Sequence, residues 1–259
     1  MNYKTFGRGG DAWVTLSHPI GSSHEVWGEQ VKALASTYNV LVYDVRGHGV
    51  NPGATDSLRA QNLDDLVDDV LAIWRQLGIS SSHFVGLSLG GCIGVGLALR
   101  APERVNSLMV VNSRLHMDDA ARAMWQQRAA LVEREGMTPV VRPTLERWFT
   151  SEFLAAHTET LASVEATLQG TSALAFADCA RVLAGLQLQP RLSSLTMPVR
   201  FVTGEQDTAV ASQFVADYAA VSAGFELIRM RGPHLLNIEN PVGFNHCMLD
   251  FIETIECQS

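Results

Sequence analysis

Short β-branched runs alternate with helical segments over the first 113 residues, and this alternation constrains the fold more than any other feature of the chain. The stretches "AWVTLSH" (12–18), "NVLVYD" (39–44), "HFVG" (83–86) and "VNSLMVVNS" (105–113) have the length and character of buried strands. A helix is expected over Trp27 to Ser36. "NLDDLVDDVLAIWRQLGI" places Leu63, Leu66, Val67, Val70, Trp74 and Leu77 three to four residues apart, with carboxylates in its first turns and Gly78 as a stop. "GGCIGVGLALRAP" reads as a helix ended before Pro102. Such alternation predicts an α/β fold with a mostly parallel central sheet flanked by helices.

From Ser113 to about Pro190 the pattern is helical and carries aromatics, as in "DDAARAMWQQRAALVERE" and "RPTLERWFTSEFL". A strand-free stretch of that length far exceeds an ordinary connection. Strand and helix signals then return in "MPVRFVTGEQD" (197–207), 211–220, "FELIRM" (225–230) and 241–255. The expected organisation is a core in two parts, 1–113 and 191–259, with a helical cap inserted over 114–190. Eight strands are expected, less one at the edge if the short N-terminus omits it.

With 27 acidic against 19 basic residues the net charge is −8. No basic run interleaves with aromatics, so nucleic acid and anionic membranes are not expected partners. The N-terminus has no apolar signal core and no apolar stretch reaches the eighteen or so residues of a spanning helix, so a soluble cytoplasmic protein, monomer or homodimer, is expected. Cys92, Cys179, Cys247 and Cys257 are scattered without C-x-x-C spacing, which points to neither a disulfide framework nor a thiolate zinc site. The histidines form no H-x-x-x-H or H-E-x-x-H pattern, and "YDVRGHG" (43–49) reads as a tight loop closed by local ion pairing around Asp44, Arg46 and His48. No metal and no organic cofactor is expected.

"HFVGLSLGG" carries the chemistry. Gly86-Leu87-Ser88-Leu89-Gly90 fits G-x-S-x-G between an apolar run and a helix of small residues, the context that lifts a serine hydroxyl above a sheet at a helix N-terminus. A serine needs a base, and His234 in "RGPHLLNIENP" follows a strand near the C-terminus, consistent with the chain order serine, acid, histidine. Asp207, directly beyond "VRFVTG", is the favoured acid, with Asp178 and Glu205 as weaker rivals. The oxyanion hole is expected from the N–H of Leu89 and, in "SHPIGSS", from Ile20, because Pro19 has no N–H. Trp27, Trp125, Trp148 and Phe149 allow an aromatic-walled pocket. From Arg114 through Arg147 the cap holds six arginines against five acids, so one arginine, with Arg147 as the named candidate, is expected near a substrate carboxylate.

These stretches, with "VLVYDVRGHG", "APERVNSLMVVNS", "RWFT" and "HLLNIENPVGFNHCMLDFI", resemble the α/β-hydrolase fold family over nearly the whole length, and within it the 3-oxoadipate enol-lactonases. The resemblance implies Ser88 as nucleophile, Asp207 as acid, His234 as base, Ile20 and Leu89 at the oxyanion positions, and Trp148 near substrate. It implies cleavage of a small lactone or ester through an acyl-enzyme. A carboxylesterase, carbamate hydrolase or C–C-bond hydrolase uses the same scaffold, and a non-catalytic small-ligand binding protein is the alternative outside enzymes. The chain departs from the family pattern at Pro233, at His18-Pro19 and at Val50-Asn51.

Overall fold

The computed structural model describes residues 1–7, 10–49 and 59–257; Val50 and Asn51 lie outside them. The elements run β1 (Tyr3–Phe6), β2 (Trp13–Ser17), α1 (Gly28–Leu34), β3 (Asn39–Tyr43), α2 (Leu63–Leu77), β4 (Ser82–Leu87), α3 (Leu89–Arg100) and β5 (Val105–Val111). Five helices follow: α4 (Asp119–Glu135), α5 (Thr138–Trp148), α6 (Ser151–Ala156), α7 (Thr158–Gly170) and α8 (Ala173–Ala184). The chain then returns through β6 (Val199–Gly204), α9 (Ser212–Ala219), β7 (Phe225–Met230), α10 (Leu236–Glu239) and α11 (Pro241–Glu256).

The described strands form one seven-stranded sheet in the order β1-β3-β2-β4-β5-β6-β7. All neighbours pair in parallel except β1, which runs antiparallel along β3 with Tyr3 opposite Tyr43. Seven described strands agree with the expected eight less one at the edge, and the edge of the sheet is formed by "YKTF", too short to be read as a strand from the sequence. The central strands are almost wholly buried, β4 and β6 at every position and β2 and β5 at all but one, as a sheet covered on both faces requires.

Local sequence explains the helices that flank the sheet. Asn62 and Asp65 form a capping box at the start of α2, and Gly78 ends it with a φ of 68°. Helix α3 is buried from Leu89 through Ala98, and its small residues let it lie directly beneath the strands.

The helices α4–α8 lie between β5 and β6 in sequence and are tied to the sheet's loops from two sides. Arg59, ahead of α2, pairs with Asp178 on α8, and Ser172 N–H donates to the Gly47 carbonyl. At the other side Leu235 N–H donates to the Trp148 carbonyl at 3.1 Å, and Thr150 Oγ1 binds Glu239 Oε1 at 2.5 Å. The end of α5 is thereby fastened to the turn that follows β7.

Candidate active site

Ser88 sits between β4 and α3 with φ 58° and ψ −113°, a conformation uncommon for a non-glycine residue. Its N–H donates to Val111 at 2.9 Å, which ties the turn to the end of β5. The flanking glycines are required by close approach: a Cβ on Gly86 would run into the Gly90 backbone, and one on Gly90 into the Ser17 backbone. The tight turn leaves the Ser88 side chain facing a cavity whose empty volume, open mouth included, is about 660 Å³.

Asp207 and His234 come together from the loops after β6 and β7. Asp207 Oδ2 lies 2.9 Å from His234 Nδ1, and Oδ1 accepts the N–H groups of Ala209 at 2.7 Å and Val210 at 3.0 Å. The acidic side chain is fully buried and the histidine nearly so. With the carboxylate on Nδ1, that nitrogen carries the proton and Nε2 is left as the basic atom. His234 and Ser88 line the same cavity. No hydrogen bond joins the serine hydroxyl to the ring in this structure, and contacts of this kind commonly tighten only with substrate bound.

The two rival acids go elsewhere. Asp178 is paired with Arg59 and Arg181, and Glu205 is exposed.

Ile20 lines the cavity, and Leu89 opens α3 immediately after Ser88, so its N–H belongs to the first turn, where an α-helix supplies no acceptor. The loop that carries Ile20 is anchored by His18. Val45 N–H donates to His18 Nε2 at 2.9 Å, so the ring proton is on Nδ1, which donates to the Pro19 carbonyl at 2.7 Å. The bond accepted by Nε2 demands a neutral ring, and burial with the neighbouring His48 pushes the His18 pKa down to about 3.

"YDVRGHG" is not closed by an ion pair of its own. Arg46 pairs with Asp69 on α2 at 2.6 Å, while Asp44 Oδ1 accepts the backbone N–H and Nδ1 of His24 at 2.7 and 2.8 Å. Polar groups distant in sequence are nearer in space than those within the loop. Among the described residues no group of three or more His, Cys, Asp or Glu is placed to hold a metal ion.

Trp125, Arg147 and Trp148 line the cavity. Trp27 does not: at the start of α1 it is fully buried, with its ring 6.1 Å from Phe244 of α11, so its place in the pocket is corrected to a place in the core. Apolar bulk marked it for either role, and only the packing of α11 selects one.

Three residues of the site escaped the sequence reading. Arg128 and Thr144 face the cavity from α4 and α5, and Asn112 underlies the histidine turn from the end of β5. The excess of cap arginines was a signal for the first of these, without saying which arginine. Cys92 also faces the cavity, but burial pushes its thiol up to about 12, which keeps it protonated.

A model of the alpha/beta hydrolase fold matches residues 13–140. The chain is 32% identical to 3-oxoadipate enol-lactonase 2 of Acinetobacter baylyi, across 96% of this chain and 91% of that protein. It is 29% identical to a putative carbamate hydrolase RutD of Serratia proteamaculans, across 92% and 90%. Among solved structures, the enol-lactonase from Burkholderia xenovorans LB400 superposes with a TM-score of 0.92 at 27% identity, covering 97% of this chain and 96% of that one.

Proposed function

The chain belongs to the α/β-hydrolase family, and from that premise we propose that it is a serine hydrolase cleaving a small lactone or carboxylic ester through an acyl-enzyme, with an enol-lactone of the 3-oxoadipate type as the favoured substrate. The observation that carries the reading is the 2.9 Å contact between Asp207 and His234 Nδ1, with the ring and Ser88 facing one cavity.

In this mechanism Nε2 of His234 takes the Ser88 proton as the oxygen attacks the carbonyl. The oxyanion is held by the N–H groups of Ile20 and Leu89. The carbonyl–oxygen bond breaks, the leaving oxygen receives the proton from His234, and water activated by the same nitrogen releases the acid and regenerates Ser88. From an enol-lactone the leaving group is an enol, which ketonises to a 3-oxo acid. Asp207 holds the imidazole tautomer and offsets the imidazolium charge. The helices α4–α8 act as a cap, with Trp125 and Trp148 as pocket walls.

The enol-lactonases named above support the lactone, and the carbamate hydrolases make a carbamate the second reading. A fluorophosphonate probe tests the chemistry. Wild type is expected to label at Ser88 and Ser88→Ala to remain unlabelled and inactive on a panel of lactones, esters and carbamates. A folded wild type that neither labels nor turns over any of them would be a binding protein. Turnover ranked across the panel separates lactonase from esterase and carbamate hydrolase.

A further inference from the structure

Three arginines line the cavity, Arg114, Arg128 and Arg147, and none of its lining residues is acidic, although the chain carries a net charge of −8. Most of the arginines between 114 and 190 are accounted for. Arg114 pairs with Asp118, Arg134 with Glu135, Arg142 with Glu146, and Arg181 with Glu133 and Asp178. Arg122 is exposed. Arg128 and Arg147 are left facing the cavity, and among the described residues neither has a carboxylate within ion-pair distance.

Arg128 is held in place without being neutralised. Its Nη2 donates to Thr144 Oγ1 at 2.6 Å, and that hydroxyl gives its own hydrogen to the Val140 carbonyl at 2.6 Å. The guanidinium carbon lies 5.4 Å from the Trp125 ring centroid and 5.9 Å from that of Phe176. These contacts fix the plane of the group, yet its Nε is buried with no hydrogen-bond partner. Burial, and then the charge of Arg147, push the pKa of Arg128 down to about 10, so it stays a cation at neutral pH in surroundings that oppose its charge. Arg147 Nη2 has only a long contact, 3.4 Å, to the Ala209 carbonyl beside the acid loop.

A desolvated cation lacking a counter-ion weakens the free protein, and an anion entering the cavity relieves the strain. We propose that Arg128, with Arg147 as a second donor, binds a carboxylate of the substrate, so that the enzyme selects small lactones and esters bearing an anionic group that reaches under α4 and α5. This rests on the serine-hydrolase reading and adds to it the residue that sets specificity. A planar guanidinium held in orientation by Thr144 and Trp125 suits a carboxylate better than a point charge would. A neutral ester of the same shape leaves the cation without a counter-ion.

The test uses the 4-nitrophenyl monoesters of succinic, glutaric and adipic acids beside their methyl esters, which share one leaving group and differ by one charge. For at least one chain length the wild type is expected to prefer the acid in kcat/KM by roughly ten- to a hundredfold. Arg128→Gln is expected to remove most of that preference and Arg147→Gln part of it. Two further measurements separate a ligand-binding role from a structural one. Adipate is expected to bind the Ser88→Ala protein in calorimetry, and to lose that binding when Arg128→Gln is added. Without ligand, Arg128→Gln is expected to melt at or above the wild-type temperature, because an unpaired buried charge is gone; an arginine that only braced α4 against α5 would lower it.

Equal kcat/KM for acids and methyl esters, with turnover that still depends on Ser88, would overturn the carboxylate site and leave the hydrolase reading intact. Adipate binding that survives Arg128→Gln would overturn it as well. Absence of both turnover and fluorophosphonate labelling, with adipate binding still dependent on Arg128, would sink the hydrolase reading and keep the anion site.

Discussion

Asn112 Nδ2 donates to the carbonyl of His234 at 2.8 Å and to that of Pro233 at 3.1 Å, while its Oδ1 accepts the N–H of Gly204 at 2.8 Å. One buried side chain at the end of β5 thus holds both the strand that leads to Asp207 and the turn that carries His234. The two approach so closely that a Cβ on Gly204 would lie 2.5 Å from the Gly232 carbonyl oxygen. Asn112 itself has a φ of 44°, a region that asparagine tolerates better than most residues.

Asn112→Gly is the informative variant, since glycine keeps the backbone conformation and removes only the side chain. Two buried carbonyls and one N–H would lose a partner, and a loss of about 1–3 kcal/mol in unfolding free energy is expected. Because the histidine is re-aimed, kcat should fall more than KM rises. Denaturant unfolding with kcat and KM on one ester measures both. A kcat within twofold of wild type would mean that Asn112 does not hold the catalytic geometry.

His234→Ala is expected to lose on the order of 10⁴ to 10⁶ in turnover, as removal of a triad base does. Asp207→Asn should retain more, because the amide keeps the shape of the acid while favouring the wrong tautomer. Single-turnover rates on a chromogenic ester rank the two. An Asp207→Asn enzyme at wild-type rate would remove Asp207 from the mechanism.

The buried His18 makes stability depend on pH. Its folded pKa of about 3 lies below the ordinary value of 6.5, so the unfolded chain takes up a proton that the folded one refuses. The stability is fully present above about pH 6.5 and is lost as pH falls toward 3, at about 1 kcal/mol per pH unit from this residue. His48, 5.6 Å away, is shifted in the same direction by burial. Urea midpoints at pH 7, 6 and 5 should fall for wild type and fall less steeply for His18→Asn.

Trp27 and Trp148 should separate stability from catalysis. Trp27→Ala removes a fully buried side chain from the core and is expected to cost about 3–5 kcal/mol in stability. Trp148→Ala opens the cavity wall and should raise KM on small substrates. Thermal unfolding beside KM on the same ester decides it: a Trp27 variant that stays as stable as wild type but loses substrate affinity would return that residue to the pocket.

The β–α alternation, the strand–turn–helix around Ser88 and the order of Ser88, Asp207 and His234 were all legible in the chain. Each is a short-range pattern: side-chain periodicity marks strands and helices, glycines mark the turn, and parallel strands bring their following loops to one end of the sheet. What the tertiary structure decided depends on partners distant in sequence. "YKTF" becomes a strand only because β3 offers its edge. Trp27 becomes core because α11 covers it, and Arg46 finds its carboxylate on α2 instead of in its own loop. Arg128 and Arg134 are alike to a local reading, and Asn112 is one polar residue after an apolar run. Their difference lies in where α4, α5 and the turn after β7 come to rest, because burial and hydrogen-bond completion belong to the packed chain and not to any window of it.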